Sequence, residues 1–363
     1  MYMARTRKLA LLAMLLVCAA SLVYYFRISL EAANESNGMA PPRLVLIVGG
    51  PDPFWKEVIL GAHAAAKDYG VALDIIEPEG GGKSQSMALV NINVKDYDGL
   101  AISPLAPSNQ ALTISKLATQ IKVVTYDNDA ENSLRHLYIG TNNVTAGQLA
   151  ADLVKRALPD GGEIAIFVGD DERSNARDRR RSLINSLRGQ SYRGASFDED
   201  SEHLGESLKA GKFTIVATYF DESNSETALA NAKQALNEYP ELAGMVALYG
   251  YNGPACLKAL HEAKKVGTVK LIAFDNHEAT LSGVADGAIE GTVVQDPYLY
   301  GYESIEALTK LCQGNSATIP VPGAGSISLP CAIVDQDNLG NYQEKLHQRR
   351  GAVEPNQQHG NSN

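Results

Sequence analysis

Tryptophan is nearly absent from this sequence: one residue, Trp55, stands in 363. Cysteine is scarce, with four, and no His/Cys cluster has metal-ligand spacing. Neither a metal site nor a cofactor is therefore expected. Positive charge is also short, with 32 Lys and Arg against 42 Asp and Glu, a net charge of −10. Nucleic-acid binding needs a basic face, so nucleic acid is excluded as a partner. A phosphate loop is missing as well. "EPEGGGKSQS" at 77–86 ends in Gly-Lys-Ser, but Glu77 stands where the pattern needs its first Gly.

Apolar residues make up 45% of the chain, enough for a large core, and the length suits two domains. Arg5, Arg7 and Lys8 precede the uncharged run "LALLAMLLVCAASLVYYF" at 9–26. A basic start followed by an apolar run is an export signal. The run exceeds the roughly 7–15 residues of a cleaved core and reaches the roughly 17–25 of a membrane span. Three fates stay open: a retained anchor, a signal cleaved after Ala20, or lipidation at Cys18, where Val17 replaces the usual small residue. In each, the chain beyond the run lies outside the cytoplasm, in the periplasm or its equivalent. Residues 1–42 are thus an export signal or membrane anchor plus the polar linker "EAANESNGMAPP" at 31–42. Cys256 lies in a helical run and reads as a small buried apolar residue. Cys312 and Cys331 bracket a Pro/Gly-rich loop in an oxidising compartment, and a disulfide between them is expected to contribute about 3 kcal/mol.

From residue 44 to about 313, short β-branched runs alternate with helical periodicity. The strands read as "LVLIVG" (44–49), "VALDII" (71–76), "GLAIS" (99–103), "KVVTYD" (122–127), "EIAIFVG" (163–169), "FTIVATYF" (213–220), "GMVALYG" (244–250), "VKLIAFD" (269–275) and "GTVVQ" (291–295), with "CAIVD" (331–335) after the last helix. Runs buried on both faces and joined by helices indicate an α/β protein with parallel sheets. Nine such units are many for one sheet, so two lobes are expected. Residues 189–212 read as a long, polar, solvated insertion, and 341–363 as a disordered tail.

Open parallel sheets bind ligands beyond the carboxyl ends of their strands. Those ends carry Asp52, Phe54 and Trp55, then Ser103, Asp127 and Asn128. Later strands end at Phe220, at Tyr249, Tyr251 and Asn252, at Asp275, and at Gln295. Flat aromatics with carboxylates and amides suit a sugar: rings cover its C–H face, and carboxylates accept its hydroxyl hydrogens through charge-assisted bonds. Phe54 and Trp55 then form a stacking platform. Asp52-Pro53 and Asp296-Pro297 also fit helix caps with Pro at the first helical position. Asp127 and Asp275 begin no capping box, and an unpartnered carboxylate at the end of an apolar strand is costly. In "NARDRRRSL" (175–183), Arg179 is the arginine placed to offer a fork of N–H groups to hydroxyls.

At these residues the chain resembles the type I periplasmic binding proteins, specifically the ribose-binding-like branch of the ABC-transporter solute receptors. The resemblance runs from about 43 to 340 and rests on the order and spacing of "DPFWKEVILGAHAAAKDYG", "YDGLAISP", "VVTYDND", "YIGTNNVTAGQLAADLV", "NARDRRRSLINSL" and "AFDNHEATLSGVADGAIEGTVVQDPYLYGYESIEAL". It implies two Rossmann-like lobes joined by three hinge crossings, near Thr141-Asn142, Gln295-Asp296 and Leu329-Pro330. The N-terminal lobe would comprise 43–141 and 296–329, and the C-terminal lobe 142–295 and 330–340. The family's aromatic pair matches Phe54 and Trp55, and its second-lobe aromatic matches Phe220. Its polar site positions match Asp52, Ser103, Asp127, Arg179, Asp275 and Gln295. Asn128 stands where ribose-type receptors often carry Arg, and Ser103 where Asn is common. "YGYNGPA" replaces a common "ND" after the seventh strand, so Tyr249, Tyr251 and Asn252 take over that contact.

The function so implied is capture of a small sugar or polyol by a monomeric receptor, with delivery to an ABC permease and no catalytic residue. The alternatives are a sugar-sensing subunit for a membrane receptor kinase, or a glycosidase using Asp127 and Asp275 as its two carboxylates.

Overall fold

A computed structural model describes residues 40–51, 53–169, 173–191, 207–314 and 325–353. The chain begins as β1 (Arg43–Ile47), α1 (Pro53–Tyr69), β2 (Ala72–Ile76), α2 (Gly81–Val90), β3 (Gly99–Ile102), α3 (Pro107–Ala118), β4 (Lys122–Tyr126) and β5 (Leu137–Thr141). It continues as α4 (Asn143–Ala157), β6 (Gly162–Val168), α5 (Ser174–Leu187), β7 (Leu208–Ala210), β8 (Phe213–Phe220), α6 (Ser225–Glu238), β9 (Leu242–Ala247), α7 (Asn252–Glu262), β10 (Lys270–Phe274), α8 (Glu278–Ala285) and β11 (Gly291–Val294). It ends as α9 (Pro297–Cys312), β12 (Ser326–Leu329), β13 (Ala332–Val334) and α10 (Leu339–Val353).

Two sheets result. The first has the order β12-β5-β4-β3-β1-β2, with every pairing parallel. The second has the order β13-β11-β10-β9-β6-β8-β7, parallel inside and antiparallel at both edges. Alternation along each strand feeds a core on either face. Leu44 and Leu46 join one first-lobe cluster, while Val45 and Ile47 join the other. The second sheet is likewise covered on both faces. Helices over both faces are what parallel strands require to bury their side chains.

The chain passes between sheets three times. Thr141 ends β5 in the first sheet, and Asn142 caps α4 in the second lobe by accepting from the Thr145 N–H at 3.0 Å. After β11 of the second sheet, Gln295 and Asp296 lead into α9 of the first lobe. Asp296 caps α9 through the Leu299 N–H at 3.3 Å, with Pro297 at the first helical position. The third passage joins β12 to β13. Helices α1 and α9 cross backbone to backbone: a Cβ on Gly61 would strike the Tyr298 carbonyl, and one on Gly301 the Val58 carbonyl. That approach sets Phe54 beside Tyr300.

Three expectations are corrected. The tail does not become disordered at 341. Leu339 is buried in the second-lobe core, Tyr342 packs against it, and Arg349 holds Asp296 through two bonds of 2.8 and 2.7 Å while lying over the Tyr298 ring. A few anchors of this kind hold a helix whose sequence shows little periodicity. The expected disulfide is absent, because Cys312 and Cys331 are free thiols packed against the cores of different lobes. Cys256 is free and buried. The 189–212 segment is not wholly a solvated insertion: Leu208–Ala210 pairs with β8 through a turn at Gly211, where φ is 62°. Residues 192–206 and 354–363 lie outside the described residues, as does the N-terminal segment to 39. Among the described residues no helix is long and apolar enough to cross a membrane.

Candidate functional site

The carboxyl ends of β3 and β4 in the first sheet, and of β10 and β11 in the second, carry the polar residues singled out above. Asp127 follows β4 with φ 58°, and Asp275 follows β10 with φ 61°. This left-handed conformation is uncommon for a residue bearing a side chain, and Asp tolerates it better than most. Both backbones are pinned alike. The Asp127 N–H donates to the Ile139 carbonyl at 2.9 Å, and its carbonyl accepts the Tyr138 hydroxyl at 2.7 Å. The Asp275 N–H donates to the Val293 carbonyl at 2.8 Å, and its carbonyl accepts the Thr292 hydroxyl at 2.7 Å. In each case the adjacent strand fixes the backbone of the acid at the strand end.

The side chains differ. Asp127 Oδ2 accepts the hydroxyl of fully buried Ser103 at 3.0 Å. Asp275 Oδ1 accepts the Gln295 amide at 2.7 Å. Burial pushes the Asp127 carboxyl up to about 6. The Arg179 guanidinium and the Ser103 hydroxyl oppose that rise, and Asp275 adds to it. The charge of Asp275 in one lobe thus adds to the raised pKa of Asp127 in the other.

Arg179 is 2% exposed. Its Nε donates to Asn143 Oδ1 at 2.8 Å, Nη1 to the Leu248 carbonyl at 3.0 Å and Nη2 to Gln295 Oε1 at 2.7 Å. The guanidinium lies 4.2 Å from the Phe274 ring centre and 5.4 Å from that of Tyr249. A planar cation between two rings is held in orientation by its quadrupole contacts. Tyr249 is fixed in turn by Asn175 at 2.8 Å.

Asn128, beside Asp127, is buried and its amide oxygen has no hydrogen-bond partner. A buried acceptor left open is costly unless a donor reaches it, so this atom suits a ligand hydroxyl. The second acid of "DND" is not available in this way: Asp129 is clamped by Arg135 through two bonds of 2.5 Å and by Thr125 at 2.6 Å.

Trp55 is 7% exposed and lies in the first-lobe core, against Gly49 and 6.4 Å from Tyr126. Phe54 meets it edge to face, at 4.9 Å and 82°, and is partly buried beside Tyr300 at 6.1 Å. The two rings therefore do not lie in one plane, and Phe54 keeps more open surface. Phe220 ends β8 and packs against the second-lobe core. The Asn252 amide N–H is committed to Asp221 at 2.7 Å, an acid that Tyr251 also holds at 2.5 Å; its amide oxygen is buried without a partner. Asp52 lies outside the described residues.

Sequence reasoning missed Asn143, Tyr138, Tyr300 and Arg173. Asn143 orients Arg179, and "YIGTNN" places it directly after a crossing. Tyr138 and Tyr300 read as ordinary core residues, and no local signal marks them. Arg173, just before α5, reaches the first-lobe Leu105 carbonyl at 3.5 Å. An open groove of about 660 Å³ between α7 and α8, lined by residues that include Leu257, His261 and His277, shares no residue with this cluster. Among the described residues no group of three His, Cys, Asp or Glu could hold a metal ion.

Residues 44–316 match the periplasmic binding protein domain family. Among curated relatives, the ribose import binding protein of Salmonella typhimurium is 22% identical over 298 residues, covering 81% of this chain and 93% of that protein. The ribose import binding protein of Bacillus subtilis is 24% identical over 275 residues, covering 75% and 82%. Among solved structures, an ABC transporter solute binding protein from Burkholderia graminis, in complex with D-arabinose, aligns with a TM-score of 0.73 at 26% identity, covering 84% of this chain and 99% of that one. The glucose-galactose binding protein of Geobacillus stearothermophilus shares the fold, with a TM-score of 0.72 over 83% of this chain and 99% of that one at 23% identity. Two doubly covered parallel sheets, three passages between them and a family match across more than half of the chain lead to one assignment: the chain belongs to the periplasmic binding protein domain family, as a type I periplasmic binding protein of the ribose-binding type.

Proposed function

We propose that this protein is an extracytoplasmic receptor that closes its two lobes around a small sugar or polyol and hands it to an ABC permease. The observation that carries the reading is the pair Asp127 and Asp275. Each is held at a strand end by the same backbone arrangement, one from each lobe, and the Asp275 charge contributes to the raised pKa of Asp127. A carboxylate accepts hydroxyl hydrogens through short, strong bonds. Two carboxylates on opposite walls grip opposite edges of a ring. Arg179 offers donors between them, the Asn128 oxygen takes a further hydroxyl, and Phe54 covers the C–H face.

Support also comes from the relatives, whose names include ribose import binding proteins, a D-allose-binding periplasmic protein and an arabinose complex. Residues 9–26 and the basic residues before them fit export. Reversible capture at micromolar concentration needs about 8 kcal/mol net, within reach of several charge-assisted bonds and one stacked face. No bond of the ligand is broken in this reading.

Calorimetric titration with a panel of pentoses, hexoses and polyols tests it. Micromolar binding of at least one member is expected, as is a sugar carried through native purification and detected by mass spectrometry. No binding anywhere in the panel would overturn the sugar reading. Delivery is tested separately, by sugar-dependent stimulation of a permease reconstituted in vesicles.

A further inference from the structure

We infer that Tyr300 is a positioning residue that ties two of the three crossings together and sets the Gln295 amide against Asp275, so that the angle of the hinge and the grip on ligand are coupled. The inference rests on the binding reading above. Tyr300 lies on α9 of the first lobe and is fully buried. Its hydroxyl is 2.6 Å from Thr141 Oγ1, at the first crossing, and 2.8 Å from Gln295 Oε1, at the second. One phenol thus bridges residues 141 and 295, beside the positions where the chain changes lobes.

Donor and acceptor chemistry orients the whole chain of groups. Gln295 Oε1 faces the Arg179 Nη2 donor at 2.7 Å as well as Tyr300, while Gln295 Nε2 faces Asp275 Oδ1 at 2.7 Å. A flipped amide would set N–H against a guanidinium and a carbonyl against a carboxylate, both repulsive. Oε1 must therefore accept from Tyr300, and the Tyr300 oxygen must accept from Thr141. Burial holds the Tyr300 phenol well above its ordinary range, so it stays a donor at working pH.

Two donors on one amide oxygen lock Gln295, and a locked Gln295 keeps Asp275 aimed. Rotation about the crossings must carry this chain along intact or break it. Tyr300 also touches the Phe54 ring, and the tight crossing at Gly301 holds it there. A ligand that seats on Phe54 and Asp275 therefore acts on both ends of one buried side chain.

The test compares wild type, Tyr300→Phe and Thr141→Val by calorimetry, melting and small-angle scattering with and without a sugar that wild type binds. Tyr300→Phe keeps the ring and removes the hydroxyl. Its affinity is expected to fall about tenfold or more, the size of one buried bond to a charged network. Its ligand-free radius of gyration is expected to increase, with the melting temperature lowered by only a few degrees. Thr141→Val, which leaves the Tyr300–Gln295 bond, is expected to weaken binding less but to open the ligand-free protein in the same direction. Unchanged affinity and radius in Tyr300→Phe overturn the inference, as does an affinity loss wholly explained by loss of folded protein. Should Tyr300→Phe fail to fold, an unchanged radius in Thr141→Val overturns it. Wild type that binds no sugar sinks the binding reading, while the ligand-free scattering still decides the hinge.

Discussion

Asp127 and Asp275 hold matching places in the two lobes, and their carboxylates are fastened by different means. The backbone frame is the same in both: left-handed φ, an N–H donated to the adjacent strand, and a carbonyl accepting a hydroxyl from that strand. Yet Ser103, which braces Asp127, directly follows the neighbouring strand of the same sheet, while Gln295, which braces Asp275, belongs to a crossing. The first-lobe acid is thus fixed by its own lobe and is ready whatever the hinge angle. The second-lobe acid takes its bearing from the hinge. In the proposed reading, ligand is engaged first on the first lobe and the grip is completed from the second.

The largest effects come from removing either acid. Asp127→Ala and Asp275→Ala are each expected to weaken sugar binding on the order of 100-fold or more, since each loses charge-assisted bonds to hydroxyls. Calorimetry reads this, and a loss in one variant alone would break the equivalence of the two walls.

A smaller effect is expected from pH, and it belongs to the first lobe. The Asp127 carboxyl sits at about 6 in the folded protein, above its ordinary 3.8. The ligand-free protein therefore holds this proton more tightly than the unfolded chain does. Its contribution to stability is greatest below the ordinary value and is lost as pH rises through about 6. Binding needs the ionised form, so affinity is expected to fall as pH drops below about 6 and to level off above it. Ser103→Ala removes a bond that favours ionisation and should move this midpoint upward, whereas Asp127→Asn should abolish the pH response. Titrations at several pH values check the sign, and a midpoint unmoved by Ser103→Ala would sever Ser103 from the acid.

The smallest effect is expected on the far side of the hinge. Arg349 of α10 joins the second-lobe terminus to Asp296 and Tyr298. This ion pair is partly exposed, and such pairs contribute at most about 1 kcal/mol. Arg349→Ala should lower the melting temperature by about 2–4 °C at most and change affinity little. A large loss of affinity would give α10 a share in closure equal to that of the buried network at Gln295.

Much of the scaffold was readable along the chain, because parallel strands buried on both faces leave continuous apolar runs. The expected strand at 291–295, for example, is β11 at Gly291–Val294. The misses have a common cause. Strands β5, β7 and β12 are three to five residues long, and β7 and β12 sit at sheet edges, where only partial burial is required. Such strands exist because a neighbour supplies their hydrogen bonds. Helix α10 likewise owes its place to Leu339, Tyr342 and Arg349 and shows little periodicity of its own. In the site, Asp127, Asn128, Asp275 and Gln295 were visible as polar residues at strand ends, where an apolar core cannot account for them, and Arg179 as one of the arginines that open a helix.

Local periodicity, then, carried the succession of strands and helices, the two-lobed α/β class and the polar residues crowning the strands, since each depends on residues within a few positions of one another. Which of those polar groups the protein consumes for itself was settled by folding. Asp129 goes to Arg135 and the Asn252 amide to Asp221, the two cysteines are parted into separate lobes, and Tyr300 comes to lie between two crossings. The deciding partners are distant in sequence, 116 residues for Arg179 with Gln295 and 159 for Thr141 with Tyr300. Contacts across such separations leave no periodic trace along the chain, and only packing of the completed sheets brings them within bonding distance.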